Sequence, residues 1–156
     1  MHILIREFEE PDRDTLRHLY LESRKAAFTW NTTRPCKPAD FDSHTEGEHI
    51  LVAVANAEII GFASIWVPDS FLHNLFVHPS FMRKGVGRAL LAACNKYFSR
   101  TPSLKCLKAN VNAVQFYQSQ GWKVAREEMG PDGPYLLMEK INTLRKTSAL
   151  VQGCSN

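Results

Sequence analysis

Cysteine is sparse and scattered in this chain. Cys36, Cys94, Cys106 and Cys154 are the only four in 156 residues. None forms a CxxC pair and none has a histidine at metal-ligand spacing, which argues against both a zinc ribbon and a disulfide framework. Free thiols and a reducing compartment are expected. Long apolar runs are also missing: no stretch approaches the roughly eighteen residues that a membrane span requires. The amino-terminal Met1-His-Ile-Leu-Ile-Arg-Glu lacks a basic region ahead of an apolar one, so no secretory leader is expected. A soluble, cytoplasmic protein without a membrane partner follows as the expectation. Nor does one sign of charge dominate, since 19 Lys and Arg stand against 16 Asp and Glu for a net charge of +3. The basic residues are dispersed outside a single loop, which is a poor footprint for nucleic acid. His44 and His49 flank Glu46, but not at the spacing of a helical HExxH, so no metal site is expected. Internal repeats and low-complexity tracts are absent.

What the chain does have is 44% hydrophobic and 22% charged residues, the balance of one globular domain with a core. That domain is expected over 1–141, followed by a polar, unpatterned tail over 142–156. The stretch from Leu75 to Leu91, Leu-Phe-Val-His-Pro-Ser-Phe-Met-Arg-Lys-Gly-Val-Gly-Arg-Ala-Leu-Leu, reads as strand, loop and helix. Glycines at Gly85 and Gly87 let a backbone approach a cluster of oxygens. The first N–H groups of the helix opening at Val86 have no intrahelical partner, and its dipole favours negative charge there. Arg83, Lys84 and Arg88 supply counter-charge. The same residues also suit a plain strand-to-helix turn with a solvated charge pair. The loop lacks the GxxxxGK[ST] spacing and no acidic magnesium ligand follows it, which disfavours nucleotide hydrolysis.

The remaining patterns give the order of elements. Ile3 to Phe8 is a short strand, and Pro11-Asp12 opens an amphipathic helix with Leu16, Leu19, Tyr20, Ser23 and Ala27 on one face. Trp30 to Pro38 is loop-like, and a short helix precedes Gly47. His49 to Ala55 and Glu58 to Val67 form a hairpin around Asn56-Ala57, and Phe71 to Val77 extends the meander. Strict alternation puts Phe71, His73, Leu75 and Val77 on one face of that third strand. A helix from Val86 to about Arg100 follows, with Val86, Leu90, Ala93, Cys94 and Tyr97 on one side. Leu104 to Ala109 is a strand, Asn112 caps a helix from Ala113 to Gln120, and two last strands flank Gly130-Pro-Asp-Gly-Pro. The fold class is therefore α/β of the α+β kind, an antiparallel meander joined to the rest by a strand-helix-strand crossover.

Two separated motifs in this order resemble the GCN5-related N-acetyltransferase superfamily over roughly Ile3 to Ile141. One is Leu75-Phe-Val-His-Pro with Arg83-Lys-Gly-Val-Gly-Arg88, similar to the family's acyl-CoA diphosphate loop. The other is Asn110-Val-Asn-Ala-Val-Gln-Phe-Tyr117 with Gly121-Trp122 behind it. The resemblance implies a mixed sheet with splayed central strands and acetyl-CoA as co-substrate. It implies that the backbone of Leu75, Phe76 and Val77 pairs with the pantetheine arm. N–H groups of Arg83, Lys84, Gly85, Val86, Gly87 and Arg88 would hold the diphosphate, Asn110 would touch the cofactor, and Tyr117 would protonate the departing sulfur. Two positions depart from the family pattern. Met82 stands where a Gln or Arg is usual, and Lys105 stands where some relatives place a Glu.

Direct transfer of an acetyl group to an amine needs a path for the amine's proton and a proton for the thiolate. A phenol, with an ordinary pKa of about 10, stays protonated at neutral pH, which suits Tyr117 to the second task. A core aromatic beside Phe116 is the plainer reading of it. His73, with an ordinary pKa of about 6.5, suits the first task, against a purely structural histidine. Glu22, Glu46 and Asp69 are remoter candidates for the base. Cys94 and Cys106 read as core. Phe28, Trp30 and Trp66 with Glu46 and Asp69 hint at a cationic acceptor, and both small-molecule and peptide amines stay open. The alternative is an acyl-CoA-binding module without turnover. An exposed edge strand leaves homodimerisation open as well.

Overall fold

The hairpin forms where its turn chemistry places it. In the computed structural model, which describes residues 1–27 and 37–141, Asn56 and Ala57 both take positive φ, 53° and 64°. This is the geometry of a two-residue turn whose twist matches its strands. It joins β2 (His49–Ala55) to β3 (Glu58–Trp66), with β1 (Leu4–Glu7) before them and β4 (Phe71–Val77) after. Downstream lie β5 (Ser103–Leu107), β6 (Trp122–Gly130) and β7 (Gly133–Lys140), and the sheet runs in the order β1-β2-β3-β4-β5-β7-β6. Every neighbouring pair is antiparallel except β4 with β5.

The sheet is covered on both faces, as alternation in β2 requires. Ile50 and Val52 join Phe62 beneath Leu16, Leu19, Tyr20 and Phe41, the apolar residues of α1 (Arg13–Ala27) and α2 (Ala39–His44). Leu51, Ala53 and Ala55 face the other way, into the larger core with Val86, Leu90, Leu91 and Cys94 of α3 (Val86–Cys94). Phe116 and Tyr117 of α4 (Val111–Ser119) pack against this same core. The expected helix to Arg100 is shorter: it ends at Cys94 and continues as one 3-10 turn, Asn95–Tyr97. Buried Ser70, with φ of 50°, draws the chain back by accepting the N–H of Ser99 at 3.0 Å and of Arg100 at 3.3 Å on its Oγ. The cap expected at Asn112 belongs to Asn110, whose Oδ1 accepts the N–H of Ala113 at 3.3 Å. The expectations for Phe28, Trp30, Cys36, Cys154 and the tail lie outside the described residues.

The start of α1 is held by Asp12. Its carboxylate accepts both guanidinium nitrogens of Arg6, at 2.8 and 2.9 Å, and the backbone N–H of Glu9 at 2.8 Å. The Arg6 hydrogen bonds, then the Glu9 N–H, hold Asp12 below the usual carboxylate range. A lowered native pKa means stability that is present above the ordinary value, about 3.9, and lost as pH falls through the native one. Asp12→Asn is expected to cost about 2 kcal/mol at pH 7. Thermal unfolding of both proteins checks this, and the gap between them should close as the pH is taken from 5 to 3. The other packing constraint is at Gly87, where a Cβ would lie 3.1 Å from Cζ of Phe116. Gly87→Ala should therefore destabilise by about 1–3 kcal/mol in denaturant titrations, by forcing α3 and α4 apart.

Candidate active site

Only two residue pairs join β4 to β5: Phe71 with Ser103 and Leu72 with Leu104. Beyond Leu72 each strand stays with its antiparallel neighbour, β4 with β3 and β5 with β7. The two strands therefore part, and a wedge opens between them. His78 donates its N–H to the carbonyl of Ile60 on β3 at 2.8 Å. By alternation the N–H and C=O of Phe76 also face β3, while those of Leu75 and Val77 face the wedge. A free strand edge of this kind can accept an extended partner through main-chain hydrogen bonds.

At the open end of the wedge lies the glycine loop. His78 Nδ1 accepts the N–H of Ser80 at 3.1 Å, so its Nε2 carries the proton and meets Glu22 Oε2 on α1 at 3.0 Å. This fastens the loop's first residues. Arg83 and Gly85 then take positive φ, 62° and 85°, a backbone form that turns successive N–H groups into one concavity. Among the described residues no backbone carbonyl accepts the N–H groups from Arg83 to Arg88. The first to be satisfied is that of Ala89, donated to Gly85 at 3.0 Å. The side chains of Arg83, Lys84 and Arg88 are exposed and have no ion-pair partner among the described residues. Unpaired donors, a helix start and three cations without a carboxylate partner among the described residues, Lys84 lying over the ring of Phe81 at 5.5 Å, fit a polyanion such as a diphosphate. The two glycines do different work: nothing crowds Gly85, which supplies conformation, whereas Gly87 supplies clearance for Phe116. Met82 is 55% exposed and its N–H is donated to the carbonyl of Pro79 at 3.5 Å, so the loop's unsatisfied backbone donors begin at Arg83.

On the far side of the wedge α4 presents Tyr117. Its ring makes edge contacts with Phe116 at 5.4 Å and Trp122 at 6.1 Å. Its hydroxyl has no hydrogen-bond partner among the described residues. Burial, then the neighbouring thiols of Cys106 and Cys94, push this phenol well above its ordinary range. Burial likewise pushes Cys94 up to about 12 and Cys106 up to about 11, which removes both as nucleophiles. Asn110 stands at the start of the same helix as its cap.

His73 is the one expected site residue that the fold turns to a different face. The register passes from Ser64 opposite Asn74 to Ile65 opposite Leu72, so His73 is the extra residue of a β-bulge. Strict alternation fails there. Leu72 keeps company with Leu75 and Val77 in the larger core, while Asn74 donates its Nδ2 hydrogen to Ser64 Oγ at 2.8 Å and Phe76 packs with Tyr20 and Phe62. His73 itself is 41% exposed and its Nδ1 lies 2.7 Å from Oε2 of Glu48, a carboxylate only 7% exposed. Glu48 was missed by the sequence reading. It precedes β2 without any local motif and meets His73 across 25 positions, a separation that no short-range signal spans. Nearby, Tyr20 OH and His44 Nδ1 are 2.5 Å apart, and desolvation with the charge of Arg24 holds His44 below its ordinary pKa. Of the remoter base candidates, Glu22 is engaged by His78 and Asp69 by Arg100 at 3.0 Å, and Glu46 lines a groove of about 760 Å³ with Glu7, Asp42 and Glu48. A second groove, of about 550 Å³, is lined by Asp69, Phe71, Lys105 and Glu139 and adjoins His73 through the ring of Phe71, 6.0 Å away. No described helix is long and apolar enough to cross a membrane.

Comparison with known proteins gives the family of this fold. The chain is 30% identical over 130 residues to the peptidyl-lysine N-acetyltransferase YiaC of Escherichia coli K12, covering 78% of this chain and 84% of the relative. Its fold matches a GCN5-related N-acetyltransferase from Rhodopseudomonas palustris with a TM-score of 0.77 at 18% identity, over 91% of this chain and 97% of the other. It also matches the PaiA N-acetyltransferase of Thermoplasma acidophilum, solved in complex with coenzyme A, with a TM-score of 0.73 at 21% identity, over 90% and 100% of the two chains. The family model of the acetyltransferase (GNAT) domain matches residues 22–140, and the chain belongs to that family.

Proposed function

We propose that the protein is an acetyl-CoA-dependent N-acetyltransferase that passes the acetyl group directly to the primary amine of a peptidyl lysine, with both substrates bound together. The observation that carries this reading is the wedge itself: a β4 edge open at Leu75 and at the N–H of Val77, whose carbonyl accepts Ser23 Oγ at 3.3 Å, leading to the N–H groups of Arg83 to Arg88, which no backbone carbonyl among the described residues accepts. The edge suits the amide-bearing pantetheine arm, with Phe76 holding β4 against β3, and the loop suits the diphosphate. Asn110 borders the cofactor where the strands have parted. Acetyl-CoA supplies an activated carbonyl carbon for attack by the amine.

The chain's own residues handle the protons. His73 takes one from the incoming ammonium, and Tyr117 gives one to the sulfur that leaves. Burial keeps the Tyr117 proton in place across the working pH range. The same desolvation disfavours a free thiolate, so the two effects oppose each other at the moment of transfer. The lysine acceptor is supported by the peptidyl-lysine activity of the 30% identical relative and by the acidic residues near His73. In the groove of Glu46, Asp42 is neutralised by Arg13 and Arg17, at 2.8 Å each, and Glu48 is engaged by His73, which leaves exposed Glu46 to favour a cation.

The test is release of CoA thiol from acetyl-CoA with three acceptors: a lysine peptide with a blocked amino terminus, a peptide with only its α-amine free, and a small diamine. The lysine peptide should be turned over fastest, and equal rates with the diamine would refute the peptide assignment. Tight binding of acetyl-CoA without turnover of any amine would leave a binding module in its place. Tyr117→Phe should lower kcat about a hundredfold with little change in the acetyl-CoA Kd measured by calorimetry. Lys84→Ala combined with Arg88→Ala should do the reverse, weakening binding about tenfold or more while sparing kcat.

A further inference from the structure

We infer that Glu48 is a positioning residue for His73, so that the two act as a carboxylate-imidazole pair in accepting the proton of the amine. The inference rests on the proposed role of His73 as base. An ionised carboxylate can only accept hydrogen bonds, so the 2.7 Å contact requires the proton of His73 to sit on Nδ1. Nε2 then keeps its lone pair. When Nε2 takes a proton from the substrate ammonium, the imidazolium formed is stabilised by a charge already in place, and Glu48 stays ionised throughout. The neutral amine that remains forms the new N–C bond as the C–S bond breaks. The second proton shed by the nitrogen passes through solvent to the Tyr117 phenolate left once Tyr117 has protonated the sulfur, and the proton on His73 returns to solvent, so the net products are the amide, the thiol and one released proton.

Three features say that this contact is built and not incidental. The first is burial: the Glu48 side chain is 93% shielded, its Oε1 is buried without a hydrogen-bond partner among the described residues, and only Oε2 is used. A carboxylate half satisfied in this way costs stability, and such local costs concentrate at functional sites. The second is the approach of the chain. Thr45 Oγ1 donates to the carbonyl of Phe41 at 2.8 Å, Glu48 N–H donates to the carbonyl of Thr45 at 3.0 Å, and Gly47 at φ 77° lets the Trp66 ring come within 3.2 Å of where a Cβ would be. The turn that delivers Glu48 is thereby locked from both sides. The third is the bulge, which turns His73 out of the alternation its strand would impose and toward that carboxylate. Two segments far apart in sequence each carry a special backbone feature at the point of contact.

The test is a double-mutant cycle on acetyl transfer to the lysine peptide, using wild type, Glu48→Gln, His73→Ala and the double variant, with nitrogen-resolved NMR of the His73 ring in the wild type. His73→Ala should lower kcat about a hundredfold. Glu48→Gln should lower kcat about tenfold with the KM for acetyl-CoA unchanged, and should change kcat less than about twofold once His73 is already alanine. The neutral ring should carry its proton on Nδ1, a reading that stands even if a variant fails to fold. An equal loss from Glu48→Gln in both backgrounds, or an Nε2–H tautomer in the wild type, would overturn the role of Glu48 and leave His73 as base. Full activity of His73→Ala would instead overturn the reading of His73 on which the inference rests.

Discussion

Phe71 with Ser103 and Leu72 with Leu104 are the two backbone pairings that hold β4 to β5, and the parting of the strands beyond them shapes everything that follows. β4 satisfies its other edge against β3, and β5 pairs with β7 along its whole length, so neither needs the other. The bulge at His73 follows directly on Leu72, the last residue joined to β5. Bulges raise local twist and end pairing, and here one irregularity coincides with both the opening of the wedge and the turning of an imidazole. A free edge inside a sheet is ordinarily a liability. In this fold it is enclosed by α3 and α4 on one face and α1 on the other.

The two faces of the sheet hold different kinds of group. On the α3 and α4 side are apolar core, the glycine loop and a phenol raised by burial, a setting for a long anionic ligand ending in a thioester. On the α1 and α2 side are His44 and His73, polar and partly exposed, with the carboxylate of Glu48 shielded beside His73. β4 belongs to both, and α1 braces its end: Ser23 Oγ donates to the carbonyl of Val77 at 3.3 Å, and Glu22 receives His78. The glycine loop and the end of β4 are thus both fastened to α1.

Much of this was legible in the residues because its causes are local. Asn56-Ala57 between apolar runs specifies a hairpin, Gly85 before Val86 specifies a turn into a helix, and Phe116-Tyr117 ahead of Gly121 specifies an apolar helix face and its stop. The glycine loop and the Asn110 to Tyr117 segment carried the family assignment for the same reason. Smaller errors also have local causes. Asn110 and Asn112 are both competent caps, and the choice fell to Asn110 because its Oδ1 reaches the N–H of Ala113 when the helix begins at Val111. α3 ended early because buried Ser70, in the turn just before β4, captured the N–H groups of Ser99 and Arg100.

The sequence by itself determined the elements, their order, the basic glycine loop and the family, since each follows from spacing within a dozen residues or so. The tertiary structure alone decided which face His73 occupies and what it meets. A bulge depends on the register between two strands, and that register is set by packing on both faces of the sheet at once, so a residue's neighbours in sequence do not reveal it. Glu48 is the sharper case. Nothing around it marks it out, and it meets its partner only because Gly47 and Trp66 fix its turn and the bulge in β4 brings His73 within 2.7 Å.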